Sequence, residues 1–222
     1  WLKSIEGSMP VQEDEPVVIR SKVYEEMMSA QPVTVEERKY DVQCSDEGYV
    51  YFYHNVPFSN FWKCGSQLQF DGHSFNCSEA VFMYQKALLF NDKEYALKIV
   101  ETDNSTSFKS QDDRCKAVKK LGRKVRGFVQ EEWDSKCYGL MYNAVECKAK
   151  YDMEFKRVLL SPEYAEKTFV EATRLDKIWG IGISIKKAME VGRAGWKGQN
   201  LLGRALTELR DKRRPEFAVK GQ

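Results

Sequence analysis

Asn76-Cys77-Ser78-Glu79-Ala80-Val81-Phe82-Met83-Tyr84-Gln85-Lys86 is the stretch where the chain changes texture. Ser78 is a good N-cap, since a hydroxyl there accepts from the unpaired amides of a first turn, and Glu79 then falls in that turn. Before this point the residues are β-prone. Tyr49 to Tyr53 is an aromatic run broken by Asn55-Val56-Pro57, and Gln67 to Phe75 reads as a hairpin about Asp71-Gly72. After it, apolar positions recur at helical spacing. Helices are predicted over 79–90, 92–101, 112–121, 125–150 and 152–160, with a short turn from Tyr164 and a last helix near Asn200 to Lys212. Two glycine-bearing loops, Trp179-Gly180-Ile181-Gly182 and Gly192 to Gly198, interrupt the helical half, and backbone can approach a ligand closely there. The expectation is an α+β fold, one predominantly α-helical domain with a small antiparallel sheet.

Composition bounds the function. With 222 residues, 42% of them hydrophobic, the chain is long enough for one ordinary core. Residues 46–214 are expected to form the domain, with 1–45 an N-terminal extension and 215–222 a tail. Ile5 to Ser8 reads as an expression remnant before Met9. Thirty-five Lys and Arg against 33 Asp and Glu leave a net charge of +2, which excludes a polybasic nucleic-acid coat and makes any anion site local. Apolar runs such as Ala87 to Phe90 fall far short of the ~20 residues a membrane span needs. The six cysteines form no C-x-x-C pair and the only histidines are His54 and His73, so no zinc spacing exists. No cofactor, no metal and no membrane partner are expected. Reduced thiols suit an intracellular chain, cytoplasmic or nuclear. The oligomeric state is not readable.

Three segments have the residue types for chemistry. Seven residues separate Glu79 from Lys86, so at ~100° per residue they share a helix face ~10 Å apart, with Phe82 between them. A sugar ring fits across that face. The competing reading is a dipole-complementing acid and a solvated lysine. The run Arg114 to Arg126 holds seven cations and no acid, with Gly122 where a helix would end and Arg123 beside it. It reads as a phosphate patch or as a solvated helix face. Asp176, Trp179, Gly180 and Gly182 suit ribose hydrogen bonding and base stacking, or a plain turn over a core tryptophan. Asn200 reads as the N-cap of a last helix with a leucine core stripe.

Taken together and in order, these segments resemble the NADAR (YbiA-like) family. The match runs from about Phe58 to Arg210. It includes Phe58-Ser59-Asn60-Phe61, Ser78-Glu79 through Gln85-Lys86, Leu121-Gly122-Arg123, Trp133, Lys150 before an aromatic, Asp176 before Trp179-Gly180, and Gly198 with Asn200, Leu202 and Gly203. The resemblance implies an N-glycosidase acting on a base–ribosyl bond of a nucleotide-like substrate, either ADP-ribosylated guanine, free or in nucleic acid, or a ribosylated riboflavin-pathway intermediate. It implies catalysis by Glu79, Asp176 and Lys86, and substrate binding by Asn60, Phe61, Phe82, Gly122, Arg123, Trp133, Trp179, Gly180, Gly198 and Asn200. Lys86 either balances charge or attacks the opened sugar as a Schiff-base amine. The alternatives are a non-catalytic ADP-ribose or nucleotide-binding module and a helical interaction domain.

Overall fold

The structure, a computed structural model, describes residues 40–218. The Ile5–Met9 reading and nearly all of the expected extension lie outside the described residues. Strand β1 (Val42–Cys44) turns at Gly48, whose φ is +81°, into β2 (Tyr49–Phe52), and the two pair antiparallel. The predicted hairpin forms as β3 (Leu68–Phe70) and β4 (His73–Phe75), with Asp71 and Gly72 both at positive φ as an Asp-Gly two-residue turn requires. Strand β5 (Thr168–Glu171), which the sequence reading left out, lies parallel to β2 with Tyr49 opposite Thr168 and Phe52 opposite Glu171. The larger sheet is therefore mixed, in the order β1-β2-β5.

Seven α-helices dominate the described residues: α1 (Ser78–Leu89), α2 (Lys93–Asn104), α3 (Gln111–Gly122), α4 (Gln130–Tyr151), α5 (Met153–Leu159), α6 (Ile185–Val191) and α7 (Leu201–Ala218). Helix α1 is the hub. Its residues from Ser78 to Gln85 are all buried, and it packs against α2, α3 and α4. A helix apolar all round belongs in a core, and this one carries Glu79 into it. Gly122, on the last turn of α3, sits where a methyl group would run into the Met83 side chain, so the close α1–α3 approach depends on it.

Side-chain caps explain several helix starts. Ser110 accepts from the Asp113 amide, Asp152 from the Glu154 and Phe155 amides, and Asp92 from the Tyr95 amide. Two expectations are corrected. Helix α4 begins at Gln130 rather than Val125, because Gly127 adopts φ +70° and the Arg126 side chain and amide are bound to Asp92. Those bonds from Arg126 hold the Asp92 carboxyl well below the usual carboxylate range. Ser78 is the first helical residue, not the cap: its hydroxyl turns to Asn60 Oδ1 at 2.9 Å, and Cys77 occupies the cap position. Helix α6 was also not expected; at seven residues between two glycine loops it shows too little periodicity. No helix among the described residues is long and apolar enough to cross a membrane. None of the six cysteines is in a disulfide.

Candidate active site

Because β2 and β5 run parallel, their carboxyl ends open on the same side, next to the N-terminus of α1 and one face of α3. A cavity of about 480 Å³ lies there. A wider depression of about 840 Å³ between residues 160–168 and α7 is the roomier of the two, but its one buried charge, Arg210, is spent on the Tyr164 carbonyl at 2.6 Å and on Asp211. The smaller cavity is the one where unspent charges converge.

Glu79 enters it from α1. Its amide donates to the Asn60 carbonyl at 3.1 Å, and Asn60 Nδ2 contacts Met141 Sδ at 3.2 Å, so the 59–61 loop and the helix start hold each other. Lys148, buried at 1% exposure, donates to the Ser59 carbonyl at 2.8 Å and braces the same loop. Glu79 itself is 4% exposed, and its Oε1 has no hydrogen-bond partner among the described residues. Burial raises its pKa; Lys119 and Arg123 oppose the rise, and Asp176 adds to it. A carboxyl left unpaired at such a cost is what a ligand-facing group looks like.

Asp176 follows β5. Its Oδ1 accepts from the Ile178 and Trp179 amides at 2.9 and 2.8 Å, and its Oδ2 stands 3.9 Å from Lys119 Nζ. Trp179 borders the cavity and meets Phe82 edge to face at 5.0 Å, with Trp133 behind Phe82 at 5.5 Å. Asn60, Phe61 and Arg123 complete the expected residues that line the space.

The remaining expected residues lie behind it. Lys86 is half-buried, with its amine 4.6 Å from the Phe128 ring centre and 4.9 Å from that of Trp133, and it does not line the cavity. Burial and the nearby Arg123 lower its pKa. Phe82 fills the helix face between Glu79 and Lys86, where the spacing had left room for a sugar. Asn200 is a clasp for β5: Oδ1 accepts from the Glu171 amide at 3.0 Å and Nδ2 donates to the Phe169 carbonyl at 2.9 Å. Its side chain is therefore spent on the strand rather than on capping α7. Gly180 and Gly198 let the loops stack without room for a methyl, against Thr173 and Glu171 in one case and against Lys177 and Gly180 in the other. Gly122 sets the α1–α3 distance.

Sequence reasoning missed Glu171, and it passed over Lys119 inside the basic run. Both line the cavity, with Lys116, Asp112 and His54 toward the rim. The run itself divides by use. Arg114 donates to the Ser105 carbonyl, Arg126 holds Asp92, Lys116 pairs with Asp112, and only Lys119 and Arg123 face the inner carboxylates. Among the described residues no three His, Cys, Asp or Glu side chains are grouped so as to hold a metal ion. The arrangement offers negative charge, two counter-cations and aromatic walls: the means to stabilise a developing cation, hold an anion and stack a base.

The NADAR domain model matches residues 51–214. The chain is 35% identical over 134 residues to N-glycosidase R617 of Acanthamoeba polyphaga mimivirus, covering 60% of this chain and 72% of the viral protein. It is 35% identical over 141 residues to Protein irg-1 of Caenorhabditis elegans, covering 62% of this chain and 60% of the nematode protein. The NMR structure of the E. coli protein YbiA superposes with a TM-score of 0.58 at 26% identity, covering 85% of this chain and 96% of YbiA.

Proposed function

Because the chain belongs to the NADAR domain family, we propose that it is an N-glycosidase hydrolysing the base–ribosyl bond of a nucleotide-like substrate, such as ADP-ribosylated guanine or a ribosylated riboflavin-pathway intermediate. The observation that carries the reading is Glu79, a buried carboxyl with one unpartnered oxygen in a cavity bordered by Lys119 and Arg123. The N-glycosidase name of the mimivirus relative supports it. Cleavage of a ribosyl bond passes through an oxocarbenium-like state, which a carboxylate beside the anomeric carbon stabilises and which water captures once a base takes its proton.

In this reading Glu79 faces the anomeric carbon, Asp176 binds ribose hydroxyls through its Oδ2, Arg123 takes a phosphate, and Trp179 with Phe61 flanks the base. Lys86, a desolvated amine behind the aromatic wall, has two readings. It acts by charge, or it forms a Schiff base with the opened sugar. Borohydride added during turnover separates the two by protein mass.

The deciding experiment incubates the protein with ribosylated bases, ADP-ribosylated guanosine and ADP-ribosylated oligonucleotides, and follows released base by mass spectrometry. Release by the wild type and its loss by ~10²-fold or more in Glu79→Gln, with the fold intact, is the expected result. Binding without release would leave a nucleotide-binding module instead.

A further inference from the structure

Glu171 has no place in the roles above, yet the fold goes to some length to hold it where it is. On β5 the side chains alternate between faces. Val170 joins the small cluster with Tyr51 and Ile181, while Phe169 joins the main helical core. Glu171 shares the face of Phe169 and so reaches toward α1 and α3, into the cavity that Glu79 and Asp176 also line. Its backbone is clamped at both ends: the amide donates to Asn200 Oδ1 at 3.0 Å, and the carbonyl accepts from the Ile181 and Thr173 amides at 2.9 and 3.2 Å. No hydrogen bond to its carboxyl exists among the described residues. A strand-end acid rigidly aimed into a cavity, without a counter-ion bonded to it, contributes nothing to the fold that an apolar residue would not do better.

Resting on the N-glycosidase reading, we propose that Glu171 is the general acid of this site, carrying the proton that the departing base receives. The C1′–N bond breaks with its electron pair passing to the base nitrogen, which takes the Glu171 proton. Water forms the new C1′–O bond and gives its proton to Glu79. The products are the protonated base and the free sugar, and exchange with solvent returns the proton from Glu79 to Glu171. The charges around the site fit this division. Asp176 has Oδ1 committed as an acceptor to two backbone amides. Glu79 has both Lys119 and Arg123 opposing the effect of burial. Around Glu171 burial acts first, Asp176 and Glu79 reinforce it and Lys119 alone opposes it, which pushes its carboxyl up to about 8. The groups acting on it are Glu79 from α1, Lys119 from α3 and Asp176 from the following loop; Arg123, just past the end of α3, shares the cavity lining, with His54, Asp112 and Lys116 at the rim.

The test compares wild type with Glu171→Gln, which keeps shape and removes the titrating proton. The wild-type kcat/KM for base release should fall as pH rises past about 8, since the acid form is the active one. In the variant, turnover should drop at least ~10²-fold and that basic limb should disappear. An infrared spectrum of the protein alone at pH 6 should show a protonated-carboxyl band that Glu171→Gln lacks, a readout that needs no substrate. The proposal is overturned if the band is the same in both proteins, or if the variant retains the basic limb. If the wild type releases base but neither change appears, only the role of Glu171 falls. A wild type that releases no base from any ribosylated substrate overturns the glycosidase reading and this role with it.

Discussion

Replacing Glu171 by Gln should stabilise the protein, and by an amount that depends on pH in a defined way. A carboxyl moved from an ordinary 4.5 to about 8 is one that the folded state prefers protonated. Between those values the folded protein binds more protons than the unfolded chain, so stability falls as pH rises through the window and levels off above it. At ~1.4 kcal/mol for each pH unit, the full interval corresponds to a penalty on the order of 5 kcal/mol above pH 8. The carboxyl borders an open cavity whose water offsets part of that cost, so Gln should recover ~2 to 4 kcal/mol there. Gln fills the same volume and stays neutral, so the gap between the two proteins should be near zero at pH 4.5 and widen steadily to pH 8. Urea unfolding followed by tryptophan fluorescence at half-unit pH steps measures it. A gap that stays flat with pH, or a variant that becomes the less stable protein at pH 9, would refute a Glu171 held neutral by its surroundings.

Three further outcomes are expected. Arg123→Ala should raise KM about 10- to 100-fold for a phosphate-bearing substrate and much less for the dephosphorylated nucleoside, as loss of one charge-assisted contact worth ~1.5 to 3 kcal/mol requires; equal effects on both would remove Arg123 from phosphate binding. Gly198→Ala should cost ~1 to 3 kcal/mol of stability by urea titration, since the added methyl meets the Gly180 carbonyl and Lys177 backbone rather than flexible side chains. Activity should survive exhaustive dialysis against a strong chelator; loss of turnover restored by a stoichiometric divalent ion would recast the cavity carboxylates as ligands.

Six of the seven described helices were readable because their periodicity is long, whereas the seven-residue α6 was not and the start of α4 was placed five residues early. The Asp71-Gly72 turn was readable because positive φ at two successive positions selects few residues. Strand β5 was not readable: its two buried residues, Phe169 and Val170, are adjacent and face opposite sides, so four residues carry no alternation that sets them apart from the neighbouring loops. Missing that strand meant missing Glu171, since only its pairing with β2 shows that an acid in Thr168-Phe169-Val170-Glu171 points inward. The helical spacing of Glu79 and Lys86 was correct, yet spacing says which residues share a face and nothing about what covers it. Phe82 and Trp133 cover it here, and the cations that act on Glu79, Lys119 and Arg123, come from outside its own helix. Lys119 was hidden by its company, because a run of seven cations gives no sign of which one will face a cavity. Asn200 and Gly198 illustrate the opposite case. Resemblance to the NADAR family marked them for the site, but what they do in the structure is hold the two loops and the end of β5 against one another behind the cavity. A residue motif of this kind records the scaffold as faithfully as the chemistry, and only the hydrogen bonds to Phe169 and Glu171 tell the two apart.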